Sequence, residues 1–126
     1  MTGVQTCALP ISTVFKRRRY IPEISSKDPR FKSFAERTAI NMPLQGTASD
    51  VIKIAMNHLD AALKKKNLRS RMLLQVHDEL LLEAPKKELE AVTALVRDKM
   101  QNAVSFLVPM DVSVKAGPNW LDMHEV

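Results

Sequence analysis

The sequence predicts an α+β fold with an antiparallel sheet, on three observations. Residues 44–66 and 86–104 repeat apolar side chains at helical spacing. Two short apolar runs, MLLQV (72–76) and LLLEA (80–84), flank the charged triplet HDE, the pattern of a tight hairpin. The signals come in the order hairpin, helices, hairpin, helix, strand, which suits antiparallel pairing.

Taken in order, TVFKRRRYIPEI (13–24) predicts two short strands around a basic turn. Val14, Phe15, Tyr20 and Ile21 favour extended backbone, and Lys16–Arg19 would repel one another if buried. Pro22 suits a strand end. SSKDPR is a loop, with Ser25, Ser26 and Asp28 as helix caps and Pro29 in a first turn. Phe31, Phe34, Ala35, Thr38 and Ala39 are spaced for one helix, which Pro43 is expected to interrupt by removing a backbone donor. A second helix then runs from Leu44 to about Lys66, with Val51, Ile52, Ala55, Leu59, Ala62 and Leu63 on one face. Lys64–Lys66 suit the negative end of its dipole.

The HDE hairpin carries no Asn-Gly signal, so its turn type stays open. KKELEAVTALVRDKMQNAV is an amphipathic helix built on Leu89, Val92, Val96, Met100 and Ala103. MDVSVKA (110–116) alternates as a last strand, and GPNW closes it with Trp120 as a buried anchor.

The 126 residues suffice for one domain, and 45% hydrophobic content suits a globular core. Charge is uneven: residues 13–71 hold fourteen Lys and Arg against five Asp and Glu, residues 72–126 five against nine. A basic half beside an acidic half points to a phosphate-binding surface next to a cation-binding one, where a plain protein has only solvated faces. One cysteine, Cys7, excludes an internal disulfide and suits a reducing compartment. No apolar run nears the ~18 residues that cross a bilayer.

The opening MTGVQTCALPIS has no positive n-region and a short apolar stretch, unlike a signal peptide. It resembles a translated sequencing-library adapter at every residue from Met1 to Ile11, and Ser12 is compatible. Residues 1–12 are therefore expected to be adapter-derived, with native sequence from about Thr13, and Cys7 then carries no meaning.

Three constellations carry chemistry. Arg37, Asn41 and Gln45 are four apart, so on continuous helix each lies roughly 40° from the last and they form one polar stripe. Such donors suit minor-groove acceptors, which barely distinguish sequence. A solvent-facing stripe is the plainer alternative. Gly46, next to the stripe, permits close backbone approach. In His77-Asp78-Glu79, Asp is a hard oxygen ligand suited to Mg²⁺, and adjacent strand residues point to opposite sides, which disfavours joint chelation by Asp78 and Glu79. The plainer alternative is a charged turn. A His-Asp pair also occurs in HD phosphohydrolases, but there the ligands sit on helices with further histidines, and His58 and His124 lack matching surroundings. No Gly-rich phosphate loop, zinc cluster or nucleophile triad is present, and Met72, Met100 and Met110 suit a core.

RRRYIPEI, AERTAINMPLQGTASDVIK, LLQVHDELLLEAP and VKAGPNW occur together in the order found at the C-terminal end of bacterial family A DNA polymerases, which residues 13–126 resemble. The resemblance implies an antiparallel palm-type sheet with a catalytic hairpin packed against long helices, part of a polymerase domain. It implies DNA-templated transfer of nucleotides from dNTP to a primer 3′-hydroxyl with two Mg²⁺ ions. Asp78 matches the second catalytic aspartate, a metal ligand, and Glu79 a supporting carboxylate. His77 matches a residue at the primer terminus, and Arg37, Asn41 and Gln45 match residues on the duplex. Residues 17–19 fall in a hairpin with no specific contact assigned. The implied partners are primer–template DNA and dNTP, with no obligate protein partner, in the bacterial cytoplasm at the nucleoid.

The departures count as well. The first catalytic aspartate, in a DYSQIELR-like segment, and the nucleotide-binding fingers helix are not in this chain. A fragment inactive alone, with an exposed strand edge, is the expectation. The alternative from another class is a stand-alone basic module that binds nucleic acid without catalysis.

Overall fold

A computed structural model describes residues 11–126, so most of the adapter-like leader, Cys7 included, lies outside the described residues. The chain divides into two units, one ending at Asp50 and one running from Val51 to Val126. No described helix is long and apolar enough to cross a membrane.

In the first unit, β1 (Ile11–Ser12) pairs antiparallel with β2 (Arg18–Arg19), Ile11 opposite Arg19 and Ser12 opposite Arg18. A basic hairpin is present, but its strands are not the expected Val14–Phe15 and Tyr20–Ile21. Thr13 explains the shift. Its amide donates to the Arg17 carbonyl (2.9 Å), its carbonyl accepts from the Lys16 amide (2.9 Å), and its hydroxyl accepts from the Arg17 amide (3.2 Å). These bonds commit residues 13–17 to the loop, with Lys16 at φ 65°. A 3₁₀ turn follows at Pro22–Ser25, and then α1 (Pro29–Lys65). Its start follows the predicted chemistry: Pro29 is the first residue, and the Asp28 carboxylate accepts from the Arg30 amide at 2.9 Å.

α1 is a single helix of 37 residues with Pro43 inside it, where two helices were expected. Proline removes one backbone bond and crowds the preceding turn, at a cost of about 3 kcal/mol. Ending the helix there would instead strand up to four carbonyls before the break and four amides after it. One lost bond is the smaller penalty. Of the expected apolar face in the first unit only Ala35 is buried, while Phe31 and Phe34 are exposed.

In the second unit α1 ends as a Schellman motif. Asn67 lies at φ 49°, its amide donates to the Lys64 carbonyl (3.0 Å), and the Leu68 amide donates to the Leu63 carbonyl (3.1 Å). β3 (Arg71–Val76) and β4 (Glu79–Glu83) pair antiparallel, with a bulge between Met72 and Leu74. After a 3₁₀ turn at Lys86–Glu88 comes α2 (Leu89–Gln101). Leu59 and Leu63 of α1 meet Val92, Leu95 and Val96 of α2 in the core, with Met72, Leu80 and Leu82 packed against them. Each such leucine or valine contributes roughly 1.5–3 kcal/mol on full burial. The periodicity placed Val92 and Val96 correctly; Leu95 replaces Leu89, which is 40% exposed.

The last strand is shorter than MDVSVKA. β5 (Lys115–Ala116) pairs with β6 (His124–Glu125), extended by a bond from the Val126 amide to the Val114 carbonyl at 3.1 Å. The strands thus form three antiparallel ribbons rather than one continuous sheet, within the α+β class expected. Trp120 does not anchor the tail and is 54% exposed. Asn119 does that work: its carbonyl oxygen accepts from the amides of Leu121 and Asp122, both at 2.9 Å, and its amide donates to the Asp122 carboxylate at 2.9 Å.

Candidate nucleic-acid interface and carboxylate hairpin

The helical stripe predicted from spacing exists, because α1 is continuous through Pro43. Arg37, Asn41 and Gln45 are exposed and line one wall of a cleft of about 680 Å³. Arg17, Arg18 and Arg19 line it as well. Four guanidinium groups around one cleft set up a positive potential that concentrates anions, phosphates above all. Asn41 and Gln45 add neutral donors and acceptors.

Gly46 is what lets the hairpin come this close. A methyl group on it would stand 2.8 Å from Thr13 Cγ2 and 3.3 Å from Met42 Cε. The Val14 amide donates to the hydroxyl of Thr47, the residue after Gly46, at 3.1 Å and fastens the hairpin to the helix. Arg17 pairs through Nε with Asp50 Oδ1 at 2.8 Å and donates from Nη2 to the Gly46 carbonyl at 3.4 Å. Sequence reasoning missed Asp50. Its signal was faint: it is the one acidic residue between Glu36 and Asp60.

The second unit carries the carboxylates. Val76 pairs with Glu79, leaving His77 and Asp78 as a two-residue loop. The run QVHDELLLE therefore places its charges at the tip, where His77, Asp78 and Glu79 are all exposed. His77 lies at φ 53°, a region that non-glycine residues seldom occupy. The Gln75 side-chain amide donates to the His77 carbonyl at 2.8 Å and braces the turn. Asp78 and Glu79 also border a hollow of about 650 Å³ together with Asp111, Val76, Leu80 and Val114.

The tip can give an exposed carboxylate to a hard cation. Among the described residues, no group of three His, Cys, Asp or Glu comes together to hold a metal ion. Mg²⁺ takes one or two protein carboxylates and fills its shell with water and substrate phosphates. Asp78 fits as one ligand and does not make a complete site.

One further carboxylate is structural. Glu88 is buried and accepts from the Ser70 hydroxyl (2.7 Å), the Ser70 amide (3.0 Å) and the Arg69 amide (3.0 Å). The Ser70 hydroxyl, opposed by burial and helped by both amides and Lys87, holds its pKa below the ordinary glutamate value.

The model of DNA polymerase family A matches residues 6–122. The chain is 51% identical over 112 residues to DNA polymerase I of Bacillus subtilis, covering 89% of this chain and 13% of that one. It is 54% identical over 109 residues to DNA polymerase I of Mycobacterium bovis, covering 86% and 12%. The chain thus spans about an eighth of the curated relatives' length. Among solved structures it superposes with TM-score 0.77 and 49% identity on the POL domain of Pol1 from M. smegmatis, in complex with DNA primer-template and dNTP, covering 81% of this chain and 18% of that one.

Proposed function

This chain belongs to DNA polymerase family A, and we propose that it forms part of the catalytic and duplex-binding surface of a DNA-templated DNA polymerase. The observation that carries the reading is the exposed loop His77-Asp78, braced by Gln75 at the tip of an otherwise apolar hairpin. A two-residue loop takes positive φ at its first residue by turn geometry alone, so it is the exposed charge at the tip of an apolar hairpin, and not the backbone of His77, that supports the reading.

In this reading Asp78 is a Mg²⁺ ligand and Glu79 a supporting carboxylate at its side. His77 sits at the primer terminus. Arg37, Asn41 and Gln45 grip the duplex through groove-edge acceptors that differ little between base pairs, which gives hold without sequence preference. The bound metal supplies activation of the primer 3′-hydroxyl and neutralises charge on the leaving pyrophosphate. Asp78 supplies one anchoring carboxylate, and the positive field of the cleft draws in backbone phosphate. In this reading Asp78 is one ligand of a larger site, and the 126 residues alone should not extend a primer.

A chimera tests this directly. Residues 13–126 replace the matching segment of the Bacillus subtilis relative, and primer extension is measured. The chimera should extend, the same chimera with Asp78→Ala should not, and the isolated chain should not. Extension that survives Asp78→Ala would remove the catalytic role and leave a binding module without catalysis.

A further inference from the structure

Among the described residues Arg18, Arg19 and Arg37 make no ion pair, whereas Arg17, in the same cleft, pairs with Asp50. It spans from Asp50 Oδ1 to the Gly46 carbonyl, tying the hairpin to the helix across 33 residues of chain. The pair is unequal: the Arg17 side chain is half exposed, and that of Asp50 is 11% exposed. Asp50 Oδ2 is buried and has no hydrogen-bond partner among the described residues. A nearly buried carboxylate with one oxygen unmet depends on its single cation, because the cost of leaving it unpaired exceeds that of breaking a surface pair. The contact between Thr13 and Gly46 and the Val14–Thr47 bond fix the same surface.

We propose that Arg17 is a positioning residue: locked to Asp50 and the Gly46 carbonyl, it holds Arg18 and Arg19 across the cleft from Arg37, Asn41 and Gln45, so that their guanidinium groups take the phosphodiester backbone of a nucleic-acid duplex. The proposal rests on the reading that this chain grips primer–template DNA. It assigns the arginine triplet two jobs. Arg17 builds the cleft, and Arg18 and Arg19 face the ligand.

The sign of one substitution separates positioning from plain attraction. Asp50→Asn removes a negative charge beside the cleft, so electrostatics alone predicts tighter DNA binding. Positioning predicts the reverse, because Arg17 loses its partner and the hairpin drifts. The experiment is fluorescence anisotropy of a labelled primer–template duplex with the 126-residue chain across a salt series, alongside amide hydrogen exchange at Val14 and Arg17. Asp50→Asn and Arg17→Ala should each weaken binding about tenfold, the scale of one charge-assisted contact. The double variant should be no weaker than either single one. Both should lose amide protection in the hairpin, and Arg18→Ala with Arg19→Ala should lower the salt slope while protection stays. Arg17→Lys, which keeps the charge and loses the fork, should behave as Arg17→Ala does. Unchanged or tighter binding by Asp50→Asn, with unchanged protection, overturns the proposal. So does a loss confined to Arg17→Ala, which would make Arg17 a phosphate contact. Absence of salt-sensitive binding by the unmutated chain defeats the reading that it grips primer–template DNA, whereas retained protection in Asp50→Asn with binding intact defeats the interlock alone.

Discussion

The Glu88 carboxylate accepts both the hydroxyl (2.7 Å) and the amide (3.0 Å) of Ser70, eighteen residues earlier in the chain. With the Arg69 amide, these bonds tie the residues that follow α1 to the turn that precedes α2. All three donors favour the ionised acid. The folded pKa therefore lies below the ordinary glutamate value, and the stability gained is fully present above that ordinary value. It is lost as pH falls through the lower folded pKa. Glu88→Gln should depress the thermal midpoint at neutral pH, and Ser70→Ala should do so less. The gap between Glu88→Gln and the unmutated chain should close on acidification below the ordinary glutamate range. A gap of constant size down to acid would mean that Glu88 acts by shape and not by charge.

Gly46→Ala sets two effects of known size against each other. An alanine inside a helix is favoured over glycine by about 1 kcal/mol. Here the new methyl meets Thr13 Cγ2 at 2.8 Å, and Thr13 is 3% exposed and β-branched, so it has little room to turn. Overpacking of this kind costs roughly 1–3 kcal/mol. The net change should be destabilising or near zero, never the full helix gain. Thr13→Ser removes Cγ2 and keeps the hydroxyl that accepts from the Arg17 amide. Gly46→Ala measured in that background by urea unfolding should recover most of the ~1 kcal/mol gain. Equal effects in both backgrounds would show that the contact is not limiting.

What the sequence made legible follows the range of each interaction. Helical spacing identified Ile52, Ala55, Leu59 and Leu63 because a buried face repeats within one element. The stripe Arg37, Asn41, Gln45 was visible for the same reason, and so were the Asp28 cap and Pro29 at the helix start. Pro43 misled, because a rule about one lost bond was applied without weighing the two helix ends a break would create. The Arg17–Asp50 pair joins residues 33 apart and Glu88 reaches Ser70 across 18, so no local pattern announces either. Trp120 was assigned to the interior by residue type, while its turn is organised by the small polar Asn119. The ribbons failed on the same ground: β-propensity favoured Val14 and Phe15, and the backbone bonds of Thr13 moved the pairing to Ile11–Ser12.

Leu59 is the largest fully buried side chain among the described residues, at 0% exposure within the cluster that joins α1 to α2. Truncation removes its transfer energy and leaves a cavity. Leu59→Ala should cost about 2–5 kcal/mol in denaturant unfolding. A fall near the upper end is a large share of the 5–15 kcal/mol typical of a domain. Leu107, fully exposed, is the control, and Leu107→Ala should change stability by less than ~0.5 kcal/mol. A small effect at Leu59 would mean that the helices close over the gap.

His77 holds an unfavourable backbone conformation. At φ 53° its Cβ crowds the following carbonyl oxygen, a strain of roughly 1–2 kcal/mol for an ordinary L-residue. Asparagine tolerates this region better, since its short side chain bonds locally to the backbone, and unlike glycine it adds little freedom to the unfolded chain. His77→Asn should therefore stabilise the hairpin, by no more than about 1 kcal/mol, with the Gln75 brace untouched because it uses the His77 carbonyl. If the imidazole is kept at this strained position to meet a primer terminus, the same variant must lose affinity for a recessed 3′-end. Blunt duplex, which in the proposed reading needs only the Arg37–Asn41–Gln45 stripe, should bind as before. The two measurements should move in opposite directions, stability up and recessed-end binding down. Gain in stability with no change in end preference would leave His77 as an unremarkable loop residue and shift attention at the tip to Asp78 alone.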